Sequence, residues 1–126
     1  MIKLTFCLRR LPHLSREDFR RYWLEVHGPL VHKHAAALRI KRYVQVHADA
    51  GPLSDGLRKV RGAPEPFDGV AELWFESAED VQAAGRTPEG RAAGAALLED
   101  EGRFIDLTRS PLWLGAGAPD RLAAPT

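Results

Sequence analysis

Phe19–Val31, FRRYWLEVHGPLV, is the stretch that most restricts what this chain can fold into. Counted at helical phase from Phe19, Tyr22, Trp23 and Val26 follow at i+3, i+4 and i+7, which gathers four large apolar groups on one side. Arg21 and Glu25 fall opposite, at the spacing of a weak surface pair. Ser15 with Asp18 three residues on resembles a capping box, Asp replacing the usual Glu, and predicts a helix start at Arg16. Gly28 supplies a left-handed end and Pro29 discourages helix before it, so the reading breaks the helix there and opens a second, Leu30–Leu38. His27 sits one turn beyond Trp23, on the flank of the apolar stripe. A histidine in that place either trades a proton near neutral pH or simply sits well at a helix end.

The rest of the chain supplies sheet and a second helical layer. Ile2, Leu4, Phe6 and Leu8 alternate with Lys3, Thr5, Cys7 and Arg9, a strand pattern. In Arg39–Ala48, Ile40, Val44 and Val46 share one face while Tyr43, Gln45 and His47 share the other. Phe67–Glu76 sets Gly69, Ala71, Leu73 and Phe75 against Val70, Glu72, Trp74 and Glu76. Between these two strands Asp49–Pro66 reads as one long irregular stretch, a mobile flap or a disordered segment. Ser77 and Thr87 are caps of two successive helical segments, the second with Pro88 at its first position and Ala93, Leu97 and Leu98 as packing residues. Ser110–Leu114 is the last strand, and 115–126 reads as a disordered Gly/Ala/Pro tail.

Composition closes off several classes. The formal net charge is +1 with the basic residues scattered, which gives no nucleic-acid footprint. One cysteine, Cys7, forbids a disulfide within the chain and fits a cytoplasmic location, the expected compartment. No signal peptide is read and no segment is long enough to span a bilayer, so no membrane partner is expected. His27, His32 and His34 straddle the Gly28–Pro29 break without a carboxylate or cysteine to complete a metal shell, and no glycine-rich phosphate loop follows a strand. No metal and no cofactor is expected.

The order β-α-β-β-α-β, with right-handed crossovers, gives a split βαβ arrangement: an α+β domain with a four-stranded antiparallel sheet and two helices on one face. Tyr43, Val70 and Trp74 exposed together would leave an apolar patch on the other face. Two sheets are therefore expected to pair face to face in a dimer, with Tyr43, Gln45, His47 and Glu72 in or beside a cavity on that face. Whether Leu4–Phe6–Leu8 or Thr5–Cys7 faces the cavity is left open by periodicity.

MIKLTFCLRR, LSREDFRRYWLEVHGPLV, RYVQVH, FDGVAELWF, TPEGRAA and EGRFIDLTRS together resemble the EthD family of the dimeric α+β barrel superfamily. The resemblance runs nearly to Leu114, apart from the long loop. It implies a ferredoxin-like βαββαβ domain, here 1–114, that forms a homodimer through its sheets. Among superfamily relatives the methylmuconolactone isomerases look similar: the resemblance implies a functional histidine at His27 and a functional tyrosine at Tyr43. It also aligns Glu72 and Trp74, with Leu73 where those relatives carry a cysteine, and finds no loop histidine in Asp49–Pro66. Asp106, in FIDLTRS, also matches the family and either orients His27 or caps a turn.

Three functions follow as expectations. The first is a cofactor-independent enzyme acting by proton transfer (isomerase, cyclase or decarboxylase) or by an oxygenase-like reaction on an apolar aromatic, polyketide or lactone molecule. His27 is then base or acid, Tyr43 a donor to a developing oxyanion, and Glu72 an assistant. Phe6, Trp23, His47, Trp74 and Asp106 contact the substrate. The second is a non-catalytic ligand-binding partner of an oxidising degradation system. The third is a haem-linked oxidoreductase.

Overall fold

The computed structural model describes residues 1–118; most of the 115–126 tail segment lies outside the described residues. Four strands, β1 (Ile2–Leu8), β2 (Arg42–His47), β3 (Gly69–Phe75) and β4 (Leu112–Gly115), form one sheet in the order β2-β3-β1-β4. Every neighbouring pair is antiparallel. Helices α1 (Arg16–Tyr22) and α2 (Gly28–Leu38) follow β1, and α4 (Ala78–Ala84) and α5 (Pro88–Glu101) follow β3. This is the expected α+β, ferredoxin-like architecture.

The caps act as read. Ser15 Oγ accepts from Asp18 N at 3.1 Å, Ser77 Oγ from Asp80 N at 3.2 Å and Thr87 Oγ from Gly90 N at 2.9 Å, each satisfying an amide the helix leaves open. Three expectations fail. Leu98 is exposed, while Ala93 and Leu97 pack inward with Asp100 beside them. The stretch 49–66 is not irregular throughout: it holds a helix, α3 (Pro52–Val60), with Pro52 at its start.

The third correction concerns His27. The helix does not break at Gly28–Pro29. Trp23–His27 forms a turn of π-helix that joins α1 to α2, with Gly28 N–H bonded to Trp23 O and both His27 and Gly28 in right-handed helical geometry. Pro29 has no N–H to give, and Gly28 has no Cβ to clash with the proline ring, so a wider turn carries the chain through instead of ending it. The extra residue shifts the phase. Phe19, Trp23, His27 and Val31 now form the buried line, and Val26 turns out to solvent.

Phe6, Leu8, Phe19, Trp23, Ala71 and Phe104 are the centre of the core. Gly69 on β3 is required by that packing. A Cβ there would stand 2.5 Å from the Trp23 ring and 2.7 Å from Val46 O, closer than atoms can approach.

Strand register decides which residues meet. Leu4 pairs with Leu73 and Phe6 with Ala71, while Tyr43 pairs with Leu73, Gln45 with Ala71 and His47 with Gly69. All of these point to the helix side. Arg42 pairs with Trp74 and Val44 with Glu72, so Glu72, Trp74, Val70 and Cys7 occupy the opposite, open face. Tyr43 therefore does not share a surface with Val70 and Trp74. It is Leu4, Phe6 and Leu8, not Thr5 and Cys7, that face the helices.

Candidate active site

The helix layer and the sheet enclose a cavity of about 80 Å³. Its walls are apolar, among them Phe6, Leu8, Trp23, Leu73 and Leu97, and three side chains bring chemistry into it: His27, Tyr43 and Glu101.

His27 is buried, and its Nδ1 lies 2.8 Å from Asp100 Oδ2. Asp100 is buried too. Tyr22 Oη donates to its Oδ1 at 2.5 Å and Arg103 Nη1 donates to the same oxygen at 3.1 Å. Burial alone would raise the Asp100 carboxyl, but the Tyr22, His27 and Arg103 donors bring it below its ordinary value. It is a carboxylate at neutral pH. Burial lowers His27 below its ordinary value, the pull of Asp100 opposing but not overcoming it. At pH 7 the pair is thus a neutral imidazole donating Nδ1–H to a carboxylate, which leaves the Nε2 lone pair free. Asp100 is the only side chain to which His27 is hydrogen-bonded among the described residues.

The π turn and β2 set Tyr43. Gln45 Nε2 donates to Trp23 O at 2.8 Å and to Tyr43 Oη at 2.8 Å. With both amide hydrogens used, Gln45 Oε1 accepts from His47 Nε2 at 2.8 Å. Tyr43 Oη is thereby an acceptor inside the network, and its own hydrogen is the one left to donate. Burial raises the Tyr43 hydroxyl above its ordinary value, which keeps that hydrogen in place.

Glu101, the last residue of α5, is pushed up to about 7 by burial first and by the Asp100 charge second. Near neutral pH it is a carboxyl that can hold or release a proton. Its cost to the fold has a definite sign. Because the folded value exceeds the ordinary 4.5, stability from the neutral form is complete below pH 4.5 and is lost as pH rises toward 7. Glu101→Gln is expected to raise the melting temperature at pH 8 and to leave it nearly unchanged at pH 4.5; equal shifts at both pH values would show that Glu101 is not a strained carboxyl.

The residues singled out in the sequence divide into two groups. His27, Tyr43, Phe6 and Trp23 line the cavity, and His47 stacks on the outer side of Trp23 with ring centroids 4.3 Å apart. Glu72 does not join them: it lies on the open face, paired with Lys3 Nζ at 2.7 Å. Trp74 is on that face as well, between Lys3 and the Arg42 guanidinium. Asp106 stands at the start of a short turn, Leu107–Arg109, where its carboxylate accepts from Thr108 Oγ1 at 3.1 Å and from no backbone amide of the turn. The place at His27 that Asp106 might have filled belongs to Asp100. Asp100 and Glu101 were missed, although Ala93, Leu97 and Asp100 lie at i, i+4 and i+7. That spacing sets a carboxylate on the packing stripe of α5.

Fold and site together define a ferredoxin-like α+β domain with a histidine–carboxylate pair opening on an apolar cavity between helices and sheet. Residues 11–108 match the EthD domain family, and the chain belongs to it. A decarboxylase, AgnL1 of Paecilomyces divaricatus, is 29% identical over 115 residues, 89% of this chain and 75% of that protein. The crystal structure of an EthD family protein from Bacillus halodurans superposes with a TM-score of 0.62 at 22% identity, over 94% of this chain and 99% of that one. A dimeric ferredoxin-like protein from Thermobifida fusca gives a TM-score of 0.55 at 17% identity, over 91% and 89%. Among the described residues no helix is long and apolar enough to cross a membrane.

Proposed function

We propose that the chain is a cofactor-independent enzyme of proton transfer, acting on a hydroxylated aromatic or polyketide-like molecule, with decarboxylation as its foremost reaction. The observation that carries this reading is the His27–Asp100 pair at 2.8 Å, buried beside a cavity into which Glu101 brings a second carboxyl. The similarity to a decarboxylase supports the same class.

The groups suffice for the chemistry. His27 Nε2 accepts the phenolic proton of the substrate, and electron density passes to the ring carbon that bears the carboxylate. Glu101, protonated, gives that carbon its hydrogen. The carbon–carbon bond then breaks, carbon dioxide leaves, and its bonding electrons restore the ring. The phenolic oxygen recovers the proton from His27, and Glu101 takes one from water. Tyr43 O–H donates to the substrate oxygen on which charge develops. At about 80 Å³ the cavity holds the reacting edge of a ring. A groove of about 370 Å³ on the other side of Tyr43, between Pro29, His32 and Gln45, has room for the remainder.

The open sheet face supports a homodimer as the working assembly. Val46 and Trp113 are exposed there, with Val70 and Trp74 beside them, a surface of the kind that packs on a second copy.

The test is a panel of hydroxylated aromatic carboxylic acids incubated in D2O, with carbon dioxide release and ring deuterium both measured. Turnover with one deuterium at the carbon that lost the carboxylate is expected. Tight binding without release of carbon dioxide from any member would favour the ligand-holding alternative.

A further inference from the structure

Helix α3 is inside out. Ser54, Asp55 and Arg58 turn toward the body of the protein and line a hollow of about 570 Å³ with Arg16, Asp49 and Glu65, its walls mixed polar and apolar. Leu53, Leu57 and Val60, at i, i+4 and i+7, form one ridge on the outer side and are 76%, 55% and 85% exposed. None of the residues of α3 is buried. A nine-residue helix has little stability in water on its own, and tertiary packing normally supplies the rest. Among the described residues none packs on the outer side of α3.

The charges at the ridge say what fits it. Lys59 and Arg61 are exposed at its C-terminal end, and Arg61 Nη1 folds back to Leu57 O at 2.8 Å. The one acid of the helix, Asp55, faces inward. We propose that α3 seats the protein on an anionic lipid surface, the leucines and valine entering the boundary between headgroups and acyl chains while Lys59 and Arg61 meet the headgroup charge. A symmetric contact between two copies through α3 fits less well, because the helix's one acid faces inward and would bring no opposite charge to Lys59 and Arg61. Surface seating needs no spanning helix, so it does not conflict with the lack of one among the described residues.

The full chain is mixed with vesicles of phosphatidylglycerol and phosphatidylcholine in equal parts, or of phosphatidylcholine alone, and sedimented. Binding to the anionic vesicles is expected to be at least about tenfold stronger, and to weaken as salt is raised. The variant L53Q/L57Q/V60Q keeps good helix formers and removes only exposed groups, so its melting temperature should hold while vesicle binding falls about tenfold or more. K59E/R61E should lose the preference for anionic vesicles. Equal binding to both vesicle types, no binding to either, or full binding by the glutamine variant overturns the proposal. So does a drop in oligomeric mass in the glutamine variant, which would assign the ridge to a second copy.

Discussion

Replacement of His27 by glutamine is expected to reduce turnover about 10³-fold, within the range that a positioned acid–base group supplies. Glutamine is polar and of similar reach, so Asp100 can keep a donor and the fold should survive with a loss of about 1 kcal/mol. Substrate affinity should change little, since the cavity walls are apolar and unaltered. The pH profile carries a second signature. Burial lowers His27, so the neutral imidazole persists below its ordinary 6.5 and the acid limb of the wild-type profile should lie under that value. The alkaline limb should fall near 7, where Glu101 gives up its proton. Steady-state kinetics and ligand titration on a variant with native circular dichroism check both points. A structural histidine alone would leave turnover intact and lower only the melting temperature.

Asp100→Asn is expected to cost about 10²–10⁴-fold in turnover, for a different reason. Asp100 accepts from three donors at once: His27, Tyr22 and Arg103. An asparagine has one acceptor oxygen and an amide that only donates. If the amide faces His27, Nδ1 must accept, the proton moves to Nε2, and the cavity loses its base. If the oxygen faces His27, Tyr22 and Arg103 meet a donor instead. Asp100→Ala leaves buried donors unpaired and should cost about 3 kcal/mol or more. The two variants can be separated by titrating the His27 ring nitrogens by NMR: Asp100→Asn should place the proton on Nε2. An unchanged tautomer with full activity would remove Asp100 from the mechanism, as the residue that positions His27.

Local patterning made much of this legible in advance. Alternation pointed to strands over Ile2–Arg9 and Phe67–Glu76, within which Ile2–Leu8 and Gly69–Phe75 form, and the capping serines and Thr87 located three helix starts, because each signal lies within a few residues of its cause. His27 and Tyr43 were singled out partly from periodicity and partly from the family resemblance; both line one cavity, but on the helix side of the sheet and not on the outer face where Tyr43 was expected. What escaped depends on register or on distant partners. Pro29 announces a missing amide, yet whether the chain breaks or widens into a π turn depends on Trp23 O finding Gly28 and Gln45. Glu72 and Tyr43 each have an evident strand face. Only the pairing of Tyr43 with Leu73 shows that those faces are opposite. Asp106 drew attention because it stands in a family motif, while Asp100 six residues earlier lay unnoticed on the packing stripe. In 49–66, six glycines and prolines concealed the spacing of Leu53, Leu57 and Val60 that α3 displays.

We propose that the chemistry takes place between sheet and helices, not on the open sheet face. A structure of the chain with a bound hydroxylated aromatic acid tests it most directly. A substrate oxygen is expected within hydrogen-bond distance of both His27 Nε2 and Tyr43 Oη, with the ring against Trp23 and Leu73. A ligand seated on the open face against Glu72 and Trp74, with nothing at His27, would contradict it.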